Sequence, residues 1–259
     1  MDSQPVVLVT GAAQRIGREI ALDLAAHGWR VAVHFRNSVV AAAQTVAAVR
    51  EAGGQALAFG ADLTVEAECA ALVPAVQQGF GRIDAVVNNA SLFEYDDVAS
   101  FSVAAMERAW RANTAPAILL ARALHASIGA ASGQHAVINL LDQKLWNPNP
   151  DYFSYSLSKA ALEAATTMLA LALAPKLRVC GVAPGVTMLS GEMSGSEFDA
   201  SHRMTPLQRN STPQDVARAV RFLLESPAIT GTTLLVDGGQ HLQPQSRDVM
   251  FLARDKKEA

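Results

Sequence analysis

Val6-Val7-Leu8-Val9-Thr10 runs directly into Gly11-Ala12-Ala13-Gln14-Arg15-Ile16-Gly17, and a helical stretch, Arg15–His27, follows. A short, continuously apolar strand delivered into a small-residue turn that opens a helix is the first unit expected of an open parallel sheet. Gly11 and Gly17 frame the turn, so the backbone can approach a pyrophosphate while the helix N-terminus offers free N–H groups and positive dipole. Glycines at such turns also serve helix packing alone. The common fingerprint has a third glycine where this chain has Arg15, which adds a cation where a phosphate would lie.

Working outward, further strands are predicted at Trp29–His34, Gln55–Ala61, Ala85–Asn88, His135–Leu140, Leu177–Val182 and Thr232–Val236. Helices are predicted at Val39–Ala52, Glu66–Phe80, Val103–Ile128, Tyr155–Ala174 and Pro213–Glu225. The alternation implies an α/β fold with a single doubly wound parallel sheet of about seven strands and helices on both faces. One Rossmann-like domain over residues 1–240 is expected, with irregular segments at Asp142–Phe153 and Pro184–Pro206 where ligands of this architecture bind. The tail, 241–259, is expected to be partly disordered and frayed over its last six residues.

The chain has 259 residues, half of them apolar, and a net charge of −3. No basic surplus points to nucleic acid or an anionic membrane. Met1 to Pro5 lacks the features of a signal peptide, and the run Ala160 to Ala174 is too short to span a bilayer. Cys69 and Cys180 form no CxxC pair and have no histidine at ligand spacing, so they read as core thiols of a reducing cytoplasm, with no metal site.

The second strand ends in His34-Phe35-Arg36-Asn37-Ser38, with no acid to hold the ribose hydroxyls of NAD. Arg36 and Ser38 can bind a 2′-phosphate instead, which favours NADPH; a solvated loop arginine is the alternative. Asp62-Leu63 follows the third strand, where Asp62 can accept from an adenine amino group or cap its own loop through Thr64. Asn88-Asn89-Ala90 ends the fourth, where amides can pin loops or simply form a turn.

Tyr155 and Lys159 stand four apart at the head of a helix and share one face. A lysine ammonium there can favour the ionised phenol, making Tyr155 a proton donor matched to neutral pH.

The ordered set Thr10-Gly11…Gly17, Asp62, Asn88-Asn89-Ala90, Asn113, Tyr155…Lys159, Pro184-Gly185 and Val236-Asp237-Gly238-Gly239 resembles the short-chain dehydrogenase/reductase superfamily, from Val6 to about Gln240. Within it, the chain most resembles pteridine reductases and their bacterial dihydromonapterin reductase relatives. Arg15, the His34…Arg36…Ser38 turn, Asn89-Ala90-Ser91-Leu92-Phe93 and Asp142 thirteen positions before Tyr155 carry that likeness.

The resemblance implies that Arg15, Arg36, Asn37 and Ser38 hold the NADPH phosphates. It places Gly11, Ile16, Gly17, His34, Asp62, Leu63, Asn89, Ala90, Ser91, Pro184 and Gly185 at the same cofactor, with Tyr155 and Lys159. Phe93 would sandwich a pterin against the nicotinamide. Tyr155 would be the acid, Lys159 would hold the ribose and poise Tyr155, and Asn113 would support a proton relay through Lys159. Arg15, Ser91, Asp142, Leu189 and Met193 complete the implied substrate site, with a mobile lid at about 186–206. A homotetramer or homodimer is implied as well.

Most of that superfamily has a serine at Asp142. An ionised aspartate cannot donate to a substrate carbonyl, but it accepts from N–H groups and raises the Tyr155 pKa. An imine in an amino-substituted heterocycle fits these properties better than a ketone. The expected reaction is therefore hydride transfer from NADPH to a C=N carbon of a dihydropterin, with Tyr155 and Asp142 delivering the proton. A general carbonyl reductase of ketones or quinones is the alternative, and a non-catalytic NADPH-binding sensor a further one.

Glu94, Asp96 and Asp97 make the Phe93 segment read as a solvent-facing loop. Trp146 and Tyr152 either wall the pocket or buttress its loop. Arg247 or its neighbours are expected to reach toward an adjacent subunit's pocket.

Overall fold

The computed structural model describes residues 4–129, 135–189, 193–209 and 211–258, with side chains as far as Ala253. Seven parallel strands form one sheet in the order β3-β2-β1-β4-β5-β6-β7. They are β1 (Val6–Val9), β2 (Arg30–Phe35), β3 (Ala56–Gly60), β4 (Ala85–Asn88), β5 (His135–Leu140), β6 (Leu177–Pro184) and β7 (Thr233–Val236). Side chains alternate across a strand, and β1 accordingly feeds two cores. Val7 and Val9 pack with helices α1 (Arg15–Ala26), α2 (Val39–Glu51) and α8 (Pro213–Glu225) on one face. Val6 and Leu8 pack on the other with α3 (Glu66–Phe80), α5 (Ala115–Ser127) and α6 (Phe153–Leu173).

Because β1 pairs with both β2 and β4, the strand order reverses there and opens a crevice at the carboxyl ends. Every expected strand is present, within a residue or two at its ends. Among the described residues, no helix is long and apolar enough to cross a membrane.

Three expectations need correction. The single helix expected over Val103–Ile128 is broken into α4 (Val103–Ala109), a π-helical turn (Trp110–Thr114) and α5. Pro116 has no N–H to continue the ladder, and Asn113 and Thr114 turn inward to bond Leu92 and Ser158. The stretch expected to be irregular after Pro184 contains α7 (Gly195–Arg203), started by a reciprocal capping box between Ser194 and Glu197. The tail, expected to be partly disordered, carries α9 over Val249–Glu258, and Val249, Met250 and Ala253 are buried. Ser190–Glu192, in the middle of the expected lid, lie outside the described residues.

Candidate active site

A cleft of about 540 Å³ runs along the carboxyl ends of the strands from Arg36–Ser38 to Tyr155 and Met250. Its nucleotide end is built from backbone. Gly11 sits at φ +63, and a Cβ on Gly17 would collide with the Gly11 carbonyl and the Asn89 amide. That close approach leaves the N-terminus of α1 open to a phosphate. Arg15 occupies the left-handed region at φ 55, a conformation that glycine adopts freely and arginine does not. Its guanidinium donates to the Leu189 carbonyl at 2.9 Å, tying this turn to the segment after β6.

His34 lines the cleft, and both of its ring nitrogens bond the chain's own backbone. Its Nδ1 accepts from Gly11 N–H at 3.0 Å, so Nε2 carries the proton and donates to the Ala61 carbonyl at 3.0 Å. Burial lowers its pKa, keeping the ring neutral. Both nitrogens are committed, and His34 braces the turn from beneath. Asp62 holds its own loop, accepting from Thr64 N–H at 2.9 Å and Thr64 Oγ1 at 2.7 Å, while still lining the cleft. Arg36, Asn37 and Ser38 face the cleft, and Arg36 makes no ion pair among the described residues. The Ser38 hydroxyl does not cap α2, although Ser38 is its N-cap. A cation beside a hydroxyl and open N–H groups is a donor set for a phosphomonoester.

Between the two ends, amides pin the loops. Asn89 Nδ2 donates to the Thr10 and Gly11 carbonyls at 2.9 and 3.3 Å. Thr10 Oγ1 accepts from Asn89 and Ala90 N–H at 2.9 and 3.0 Å. Asn113 clamps the next segment: its Oδ1 accepts from Leu92 N–H at 2.7 Å and Ser91 Oγ at 3.2 Å, and its Nδ2 donates to Leu92 O and Ser158 Oγ. Its side chain is spent on these bonds.

Tyr155 donates its hydroxyl to Asp142 Oδ2 at 2.8 Å, and Asp142 Oδ1 accepts from Lys144 N–H at 2.9 Å. Burial raises the Asp142 carboxyl above its ordinary range, against the hydrogen bonds and the Lys144 charge that favour ionisation. Burial first, and then the Asp142 charge, push the Tyr155 phenol well above 10. The Lys159 ammonium, four positions on, does not outweigh burial and the Asp142 charge. It donates to the Leu140 carbonyl at 2.7 Å, 5.8 Å from the centre of the Tyr155 ring, and burial brings its pKa down to about 8.

The substrate end is aromatic. Phe93 stacks on Tyr152 at 4.1 Å and 17°, and meets Tyr155 edge-on at 4.7 Å. Tyr152 is buried at φ 53, and Met193 and Met250 pack with it and Tyr155. Phe93 remains 42% exposed despite these two ring contacts. Its segment is not simply solvent-facing: Asp96 is buried and accepts from the backbone N–H and hydroxyl of Ser154, capping α6 from outside the helix. Trp146 is exposed and stays off the cleft wall.

Most expected residues therefore converge on one cleft. Pro184, Lys159, Asn113 and the Leu189 side chain stand behind or beside its wall, with Gly185, Ala112 and Met188 exposed to it instead. Sequence reasoning missed Lys144, Gln240, Asp248, Val249 and Met250. Arg247 turns inward to its own chain, its Nε donating to both Asp151 oxygens at 3.0 and 2.8 Å. Asn147 holds the same segment, donating to Gln243 O at 2.6 Å and accepting from Gln245 N–H at 3.3 Å.

The chain matches a family model described as Enoyl-(Acyl carrier protein) reductase over residues 11–241. It is 34% identical to pteridine reductase 1 of Leishmania tarentolae, over 92% of this chain and 96% of that protein. It is 31% identical to 3beta-hydroxysteroid dehydrogenase 1 of Eggerthella lenta, over 92% and 94%. The structure of FolM alternative dihydrofolate reductase 1 from Brucella suis in complex with NADP superposes with a TM-score of 0.90 at 38% identity, covering 96% of this chain and 99% of that one. The Brucella canis counterpart, also with NADP, gives 0.87 at 37%. With its nucleotide cradle and its tyrosine and lysine in place, the chain belongs to the short-chain dehydrogenase/reductase superfamily and is an NAD(P)-dependent oxidoreductase of the pteridine reductase and FolM type.

Proposed function

We propose that this protein uses NADPH to reduce a C=N bond of a dihydropterin. The observation that carries the reading is Asp142: a half-buried carboxylate hydrogen-bonded to the Tyr155 hydroxyl, near the part-exposed ring of Phe93. Likeness to proteins described as a pteridine reductase and as alternative dihydrofolate reductases supports it.

Bound NADPH supplies the hydride. Gly11, Gly17 and the N-terminus of α1 would seat its pyrophosphate, and Arg36 and Ser38 its 2′-phosphate. Phe93 orients the flat substrate, and the Asp142 carboxylate accepts from its ring N–H and amino groups. As negative charge develops on the substrate nitrogen, the Tyr155 O–H turns from Asp142 and donates to it. A high phenol pKa suits this task, because the acceptor is a strongly basic nitrogen rather than an alkoxide. Lys159, cationic below about pH 8, stabilises the phenolate left behind. Asn113 acts as a positioning residue by holding Ser91 and Leu92.

A carbonyl reductase is the second reading, favoured by the likeness to the hydroxysteroid dehydrogenase. The discriminating test is NADPH oxidation by the purified protein against paired dihydropterins and ketones or quinones, with NADH in parallel. Dihydropterin turnover with preference for NADPH is expected, and Asp142→Ser is expected to lower it while raising carbonyl turnover. Turnover confined to carbonyls would discard the pterin assignment.

A further inference from the structure

Lys144 and Asp248 lie 104 positions apart, yet their charged ends meet at 3.5 Å on the cleft wall. The contact belongs to a clamp. Lys144 Nζ donates to the Asp151 carbonyl at 2.5 Å, while the Asp151 carboxylate accepts from Arg247 Nε and from Asp248 N–H at 2.7 Å. Asp248 Oδ1 in turn accepts from Met250 N–H at 3.1 Å, opening α9. Burying Lys144 between a carbonyl, a carboxylate and the face of Tyr152 fixes where the C-terminal segment can lie.

The geometry points to Asp248 as a positioning residue of the reaction: a second carboxylate, carried into the site by the C-terminal segment, that governs how readily the Asp142–Tyr155 pair releases its proton. This rests on the reading of that pair as the proton-delivering group. The charges around the pair are Lys144 from the loop after β5, whose N–H bonds Asp142, Lys159 from α6, 5.8 Å from the Tyr155 ring, and Asp248 from the C-terminal segment, which meets Lys144 on the same cleft wall as Asp142 and Tyr155. Lys144 favours ionisation of Asp142, and Asp248 opposes ionisation of both Asp142 and Tyr155. Lys159 senses Asp142 but not Asp248. A negative charge held close by, and half neutralised by Lys144, keeps the proton on the pair until the substrate nitrogen can take it.

The test is the pH profile of kcat/KM for Asp248→Asn and Asp248→Ser in the full chain, with NADPH affinity and Tm measured beside it. Serine keeps a cap for α9 while removing the charge. The profile is measured on whichever dihydropterin, ketone or quinone the unsubstituted protein reduces, so failure of the pterin reading leaves the comparison intact. Both variants are expected to move the limb governed by the Asp142–Tyr155 pair to lower pH by roughly half to one unit. The Lys159 limb near pH 8 stays in place, and Asp248→Glu restores the original profile. A limb that does not move in either variant at unchanged Tm would overturn the proposal. So would an equal loss at every pH that glutamate fails to restore.

Discussion

The two ends of the cleft bind by different means. At one end the cleft is floored by backbone, a turn of seven consecutive residues from Gly11 to Gly17 braced by a neutral histidine, with Arg36, Asn37 and Ser38 beside it. At the other end the lining is buried and half-buried charges and aromatic rings drawn from the loop after β5, from α6 and from the C-terminal segment. Backbone groups cannot titrate and present the same donors at any pH. Buried carboxyl, phenol and ammonium groups pay for desolvation with shifted proton affinities, so pH dependence should reside at the substrate end.

The sharpest break between the two ends is Tyr155→Phe. Reduction is expected to fall by roughly 10²- to 10⁴-fold, the usual worth of a positioned general acid, while NADPH affinity stays nearly constant. Steady-state rates and NADPH fluorescence titration measure the two separately; a comparable loss of NADPH affinity would show that the ends are not separable.

Gly17→Ala attacks the other end. Its Cβ has no room between the Gly11 carbonyl and Asn89, and overpacking costs roughly 1–3 kcal/mol. NADPH affinity is expected to drop by about tenfold or more, with a lower Tm, while the pH profile at saturating NADPH keeps its shape. A changed shape would mean that the turn reaches the proton-delivering groups.

The smallest expected effect is the pH limb of Lys159. Below about pH 8 its ammonium is charged and stabilises the phenolate, so kcat should decline by about tenfold or less as pH rises through that value. Lys159→Met should abolish the limb. Stability runs the other way: with a folded pKa of about 8 against 10.5, the contribution of this group is full above 10.5 and lost as pH falls through about 8. A kcat that stays flat across that range would assign Lys159 to packing.

Several misreadings trace to identifiable signals. Pro116 was there to break the helix over Val103–Ile128, and Ser194-Gly195-Ser196-Glu197 to start α7. Asp96 read as a surface acid because nothing local reveals that it caps a helix 58 positions away. Lys144 and Asp248 carried no local pattern at all.

Sequence by itself determined the parallel sheet, its first small-residue turn, and the spacing of Asp142, Tyr155 and Lys159. Those features are written in neighbouring residues, through apolar runs, small-residue turns and helical spacing. Only the tertiary structure decided that the Lys159 ammonium bonds Leu140, that His34 braces Gly11, and that the C-terminal segment lines the cleft with Asp248. Each of these is a choice of partner for a buried polar group. Burial makes an unpaired group costly, and which partner relieves it depends on chain segments meeting in space, not on their order in the chain.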